Sequence, residues 1–128
     1  MPKKKALISI VDDDESVRQA TQGLIRSAGF AAQCFASAED FLASDCLLRT
    51  DCVIADVQMS GMSGVDLYHH LVNSDRHIPL ILITAYPDDR AKLRALSAGV
   101  AGYFVKPFHE DDLLKCVDAC LEADRRKP

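Results

Sequence analysis

The sequence predicts an α/β domain: a doubly wound, five-stranded parallel sheet with helices on both faces. Three observations predict it. Short apolar runs rich in β-branched residues, Leu7-Ile8-Ser9-Ile10-Val11 and Cys52-Val53-Ile54-Ala55 above all, end abruptly on polar residues, as strands buried on both faces do. Helical-period stretches lie between such runs, two of them closed by Gly29 and Gly99 where a left-handed C-cap belongs. The two types alternate strictly, which argues for right-handed βαβ units rather than an antiparallel arrangement.

In chain order, β1 is expected over residues 7–11, ending in Asp12-Asp13-Asp14. Helix α1 follows with Val17, Ala20, Leu24 and Ala28 on one face, and Gly29 ends it. Strand β2 covers 31–35. Ser37 is an N-cap with Asp40 three residues on, a weaker form of the capping box, so α2 starts there, carries Phe41 and Leu42, and frays by about Asp45. Strand β3 runs from Cys52 to Ala55 and ends at Asp56, and α3 spans about 65–73 with Leu67, Tyr68, Leu71 and Val72 as its apolar residues. Strand β4 is 79–83, opened by Pro79, which loses no ladder bond at a first position, and closed by Thr84. Helix α4 covers about 88–98 with Ala91, Ala95 and Ala98 on one face; β5 covers 102–105 and runs into Lys106-Pro107. Helix α5, about 110–123, buries Leu113, Val117, Cys120 and Leu121. Residues 1–123 are thus one domain, and 124–128 a polar tail or the start of a linker.

Composition is that of an ordinary globular chain: 128 residues, 48% hydrophobic and 27% charged, enough for a core without disulfide or metal staples. A net charge of −4 gives no pull toward nucleic acid or anionic lipid, and no helix carries the basic stripe of a DNA reader. Direct nucleic-acid contact by this domain is therefore not expected. The basic start at Lys3-Lys4-Lys5 leads into an apolar run too short for a secretory signal, and no stretch could span a bilayer. The five cysteines are widely spaced with no CxxC pair, matching neither a disulfide framework nor a zinc site. A cytoplasmic protein with core thiols is expected.

The chemistry is in what ends each strand. A parallel sheet brings its carboxyl ends to one edge, where ligands bind, so Asp12, Asp13, Asp56, Thr84 and Lys106 are expected to converge. Three acids together repel unless a cation shares them. One or two carboxylates with waters suit Mg²⁺ (or Mn²⁺), which usually also meets a phosphate. An aspartate nucleophile at Asp56 would form an acyl phosphate, with the metal and Lys106 offsetting charge on the phosphoryl oxygens and Thr84 donating a hydrogen bond. Each acid has a plainer reading as the N-cap of the following helix; five coordinated strand ends do not.

Val11-Asp12-Asp13-Asp14, Ile54-Ala55-Asp56-Val57 with Gly61-Met62-Ser63-Gly64, Ile83-Thr84-Ala85 and Phe104-Val105-Lys106-Pro107-Phe108 together resemble a receiver domain of the two-component response regulators, along nearly the whole chain. The stretch Phe35-Ala36-Ser37-Ala38-Glu39-Asp40-Phe41-Leu42 further resembles the nitrogen-fixation and nodulation type of transcriptional regulator. The resemblance implies a flavodoxin-like (βα)5 fold with strand order 2-1-3-4-5. It implies that Asp56 accepts a phosphoryl group from a sensor histidine kinase. Asp12, Asp13, Asp56 and the backbone carbonyl of Gln58 would hold Mg²⁺, and Thr84 and Lys106 the phosphoryl oxygens. Tyr103 would turn inward as Thr84 moves toward the phosphate, and the Lys106-Pro107 bond would be cis. Phosphorylation would switch the α4-β5-α5 surface for dimerisation or docking and so control an output domain, expected to be a DNA-binding one. The chemistry would be limited to self-phosphorylation and autodephosphorylation.

Some positions depart from the family pattern. Ser60 replaces the usual proline after Met59, so the loop behind Asp56 is expected to be more mobile. Gln58 and Tyr86 occupy positions that tune dephosphorylation, with bulky Tyr86 expected to shield the acyl phosphate; an exposed strand-edge Tyr103 is the plainer alternative for that residue. A haloacid-dehalogenase-type phosphatase would need an acid where Gln58 stands. A flavin- or nucleotide-binding domain would need a phosphate loop where three aspartates stand. A degenerate, scaffold-only receiver would lack part of the site set. The polar ending favours a receiver cut from a longer transcription factor; a stand-alone receiver acting through protein contacts or as a phosphate shuttle is the alternative.

Overall fold

The apolar strand runs assemble into one sheet covered on both sides, and the computed structural model describes residues 5–125. Strands β1 (Leu7–Val11), β2 (Ala31–Phe35), β3 (Cys52–Asp56), β4 (Leu80–Thr84) and β5 (Gly102–Val105) alternate with helices α1 (Glu15–Ser27), α2 (Ala38–Leu42), α3 (Gly64–Asn73), α4 (Asp89–Ala98) and α5 (Glu110–Arg125). The sheet order is β2-β1-β3-β4-β5, every neighbouring pair parallel, as the flavodoxin-like order requires. The expected polar tail falls partly on residues 126–128, which lie outside the described residues, while α5 continues to Arg125.

Strand alternation sorts the core into two layers. Ile8, Ile10, Ile54, Ile81 and Ile83 face one side, where they pack with Ile25 of α1 and with Leu113, Val117, Cys120 and Leu121 of α5. Val11, Val53, Ala55, Leu80 and Leu82 face the other, against Phe41 of α2, Leu67 and Leu71 of α3, and Ala95 of α4. The thiols of Cys52, Cys116 and Cys120 fall on the α5 side; a hydrogen bond to Cys120 and then burial push the Cys116 thiol up, so it stays protonated and unreactive at neutral pH.

Several helix details depart from the sequence pattern. On α1 the fully buried residue is Ile25, while Ala20 and Ala28 are exposed; the larger side chain takes the sheet-facing position because it removes more apolar surface from water. Val72, among the apolar residues of α3, and Ala98, on the same expected face of α4 as the buried Ala95, are likewise exposed. Residues Asp45–Arg49 form a 3-10 turn rather than frayed coil. It is tied down by Thr50, whose hydroxyl meets Cys46 O at 2.6 Å and the buried Ser9 hydroxyl at 2.7 Å.

Helix starts follow their caps. Asp14, Ser37 and Asp88 each accept from backbone N–H groups of α1, α2 and α4, and Ser63 forms a reciprocal capping box with Asp66 on α3, satisfying donors that the first turn leaves unpaired. At the other end of α4, Gly99 has φ +116°, and a Cβ there would strike the Tyr68 hydroxyl. That hydroxyl donates to Ala98 O at 2.9 Å and so ties α3 to the end of α4.

Leu113, fully buried, and Leu93, 66% exposed, give a direct check of this layering. Leu113→Ala should cost about 2–5 kcal/mol in urea-induced unfolding, whereas Leu93→Ala should change stability by no more than about 0.5 kcal/mol.

Candidate functional site

Strand register decides which side chains meet. Val11 lies opposite Ala55, Asp56 opposite Ile83, and Thr84 opposite Val105, so the residues that end β1, β3, β4 and β5 come to one edge. Asp12 follows β1 directly and is only 4% exposed. Its Oδ1 accepts from Asp14 N–H at 2.9 Å. Asp56 is the last residue of β3; its Oδ1 accepts from Gln58 N–H at 2.9 Å. Lys106 Nζ stands 3.4 Å from Asp56 Oδ2 and 3.8 Å from Asp12 Oδ2. One ammonium thus bridges two carboxylates. The Lys106-Pro107 peptide bond is cis.

Thr84 is fully buried, and its hydroxyl is turned to the loop rather than to the carboxylates. It donates to Gln58 Oε1 at 2.9 Å and accepts from Tyr86 N–H at 3.0 Å. Tyr86 therefore touches the site through its backbone, its side chain being 67% exposed. Tyr103 is 8% exposed and packs in the core layer beneath α3 and α4. Burial, and then the charge of Asp88, push its phenol above the usual range.

The three acids differ in where their carboxylates point. Asp12 and Asp56 approach each other, but the exposed Asp13 turns its carboxylate to Ser60 N–H at 3.0 Å. An unpaired backbone donor in the neighbouring loop is a better partner for a carboxylate than two like charges. Among the described residues, no group of three or more His, Cys, Asp or Glu gathers into a ready-made metal cage. Two carboxylates of hard oxygen, an excess negative charge and an open edge still suit an ion such as Mg²⁺, which keeps several waters and takes one or two carboxylates.

Asp12 carries the electrostatic cost of this crowding. Its carboxyl rises from the ordinary 3.8 to about 6, chiefly through burial; the Asp14 N–H and Lys106 pull it down, and the charge of Asp56 pushes it up. The folded state therefore holds this proton more tightly than the unfolded chain does. Asp12 favours folding below its ordinary value, and that contribution is lost as pH rises through about 6.

The loop behind Asp56, expected to be mobile for want of a proline, is held at several points. Asp13 takes Ser60 N–H, and Glu39 of α2 takes Met62 N–H at 3.2 Å. Gly61 has φ +79°, and a Cβ there would lie 2.6 Å from Glu39 Oε2. Gly64, the first residue of α3, is buried; a Cβ would strike the Asp56 carbonyl oxygen and come within 2.8 Å of Leu82 Cδ2. Nothing local in the sequence marks Glu39 for this part, because its partner is 23 positions away. Elsewhere, a groove of about 280 Å³ between α3 and α4, lined by Val65, Tyr68, Arg94 and Ala98 among others, includes none of the strand-end residues.

Two outcomes follow from this geometry. In metal-free buffer Asp12→Asn should raise the melting temperature above pH 6, by about 3–5 °C per kcal/mol of repulsion relieved, and the gain should vanish toward pH 4 as the native carboxyl protonates. Glu39→Ala should free the Met62 amide, raising its hydrogen exchange by roughly tenfold as followed by NMR.

Comparison with known proteins bears on the family of this fold. Residues 8–118 match the family model described as the response regulator receiver domain. The response regulator protein TmoT of Ectopseudomonas mendocina is 38% identical over 122 residues, covering 95% of this chain and 56% of that protein. Nodulation protein W of Bradyrhizobium diazoefficiens is 37% identical over 123 residues, covering 96% of this chain and 54% of that protein. The chain spans about half the length of the curated relatives it matches. The solved structure of response regulator StyR superposes with a TM-score of 0.86 at 38% identity, over 96% of this chain and 63% of that one. A doubly wound parallel sheet of this order is thus accounted for by descent as well as by geometry: the chain belongs to the response regulator receiver domains.

Proposed function

We propose that Asp56 is the phosphoacceptor of this receiver and that a sensor histidine kinase is its donor. The observation that carries the reading is the Lys106 ammonium set between Asp56 and Asp12 at the carboxyl edge of the sheet. In the transfer, an Asp56 carboxylate oxygen forms the bond to phosphorus as the phosphorus–nitrogen bond of the kinase phosphohistidine breaks, and the imidazole takes the electron pair. Lys106 neutralises charge on the acceptor and on the incoming oxygens. Asp12 and Asp56, with Asp13 after release from Ser60 and the Gln58 carbonyl, are the groups that would hold Mg²⁺ or Mn²⁺. When bound, the ion supplies charge neutralisation between carboxylates and phosphoryl oxygens.

The output is assigned to α4-β5-α5. Support comes from the exposed Leu93 and Leu96 of α4, 66% and 41% exposed, beside β5 with its Tyr103 and with Lys106 at its end. Homodimerisation or docking of a DNA-binding output domain through this face fits a chain that spans about half of its regulator relatives. In this reading the unit is 1–123, the segment from 124 leads toward the output domain, and the setting is the cytoplasm; no helix among the described residues is long and apolar enough to cross a membrane.

Incubation with acetyl phosphate and Mg²⁺, read by intact mass, should add one phosphoryl group to the wild-type chain and none to Asp56→Asn. Labelling of Asp56→Asn at the wild-type rate would overturn the assignment.

A further inference from the structure

We propose that the Gln58 side chain is a latch that holds the Thr84 hydroxyl away from Asp56, so that its release sets how readily the site takes a phosphoryl group. The proposal rests on the phosphoacceptor reading and adds a positioning residue to it. A hydroxyl has one proton to donate. In Thr84 the nearer acceptor for that proton is Gln58 Oε1, 2.9 Å away against 3.3 Å for Tyr86 O, while a lone pair accepts from Tyr86 N–H at 3.0 Å. Thr84 is fully buried, so no surface water competes for the hydroxyl. It cannot donate to an oxygen on Asp56 until it leaves the glutamine.

Gln58 is placed to do this because both of its polar ends are engaged. Its backbone N–H holds Asp56 Oδ1 at 2.9 Å and its side-chain carbonyl holds Thr84, so one residue bridges the acceptor carboxylate and the hydroxyl. The loop that carries it is fixed a short way on by Asp13 at Ser60 and by Glu39 at Met62, which keeps the glutamine at its station. Tyr103 is already buried, so the hydroxyl is the group still turned away. Release need not leave Thr84 unsatisfied, since Tyr86 O lies 3.3 Å from the same hydroxyl.

The test uses beryllofluoride with Mg²⁺ as a phosphoryl mimic, titrated by NMR on the whole chain. Gln58 is exposed, so Gln58→Met removes the acceptor at nearly constant shape without touching the core; Gln58→Ala is a second variant with the same loss. Both should bind beryllofluoride roughly 2- to 10-fold more tightly than wild type, the range expected from exchanging one hydrogen bond. In a Thr84→Ala background, Gln58→Met should change the affinity no further, which a merely structural role would not produce. Unchanged or weaker binding by both Gln58 variants, or an equal gain in the Thr84→Ala background, overturns the latch. Failure of the wild-type chain to bind beryllofluoride, or binding by Asp56→Asn, would instead sink the phosphoacceptor reading, so the two failures are distinguishable.

Discussion

Like charges brought together at the edge of a parallel sheet are the constraint from which the site follows. The fold gives Asp12 and Asp56 no choice of neighbour, because β1 and β3 are paired and both residues stand where those strands stop. Water that would disperse their charge is largely excluded from Asp12. A single lysine, delivered by the next strand but one, lies within 4 Å of both, at 3.4 and 3.8 Å. One positive charge between two negative ones leaves the edge short of a cation. Such a deficit costs the resting fold something and gives it affinity for whatever supplies the missing charge.

Much of this could be read from the chain because the strands are built from the least ambiguous material. Runs such as Leu80-Ile81-Leu82-Ile83, apolar throughout and bounded by Pro79 and Thr84, have few alternatives to a strand buried on both faces. Once five of them alternate with helices, topology places Asp12, Asp56, Thr84 and Lys106 together without any knowledge of side-chain orientation. Caps are equally plain: Ser37, Gly29 and Gly99 obey local rules that do not depend on the rest of the molecule.

What escaped the sequence was set by long-range partners. Asp13 and Asp12 are chemically identical neighbours, yet only the second enters the carboxylate pair, because a loop 47 positions away offers Asp13 a backbone donor. Glu39 is an ordinary helix-surface acid until the loop arrives beside it. Ser60 suggested looseness by its lack of a ring, but rigidity here comes from hydrogen bonds to two distant carboxylates rather than from a fixed φ. On α1, Ile25 rather than the alanines is the buried residue, and periodicity alone does not rank residues by the area they bury.

Gly64 has a bearing on how such a domain could be re-specified. The start of α3 lies so close to the Asp56 carbonyl and to Leu82 that no side chain fits between them. Anyone diversifying the segment after Asp56, to redirect the choice of upstream donor for instance, therefore works within a frame of fixed length. Residues 57–63 offer surface to vary, subject to the ties at Ser60 and Met62 and to Gly61, whose φ of +79° also favours glycine, but the library must stop at 64. A deep mutational scan would score that glycine as intolerant as an active-site group, although it contributes no chemistry and only clearance.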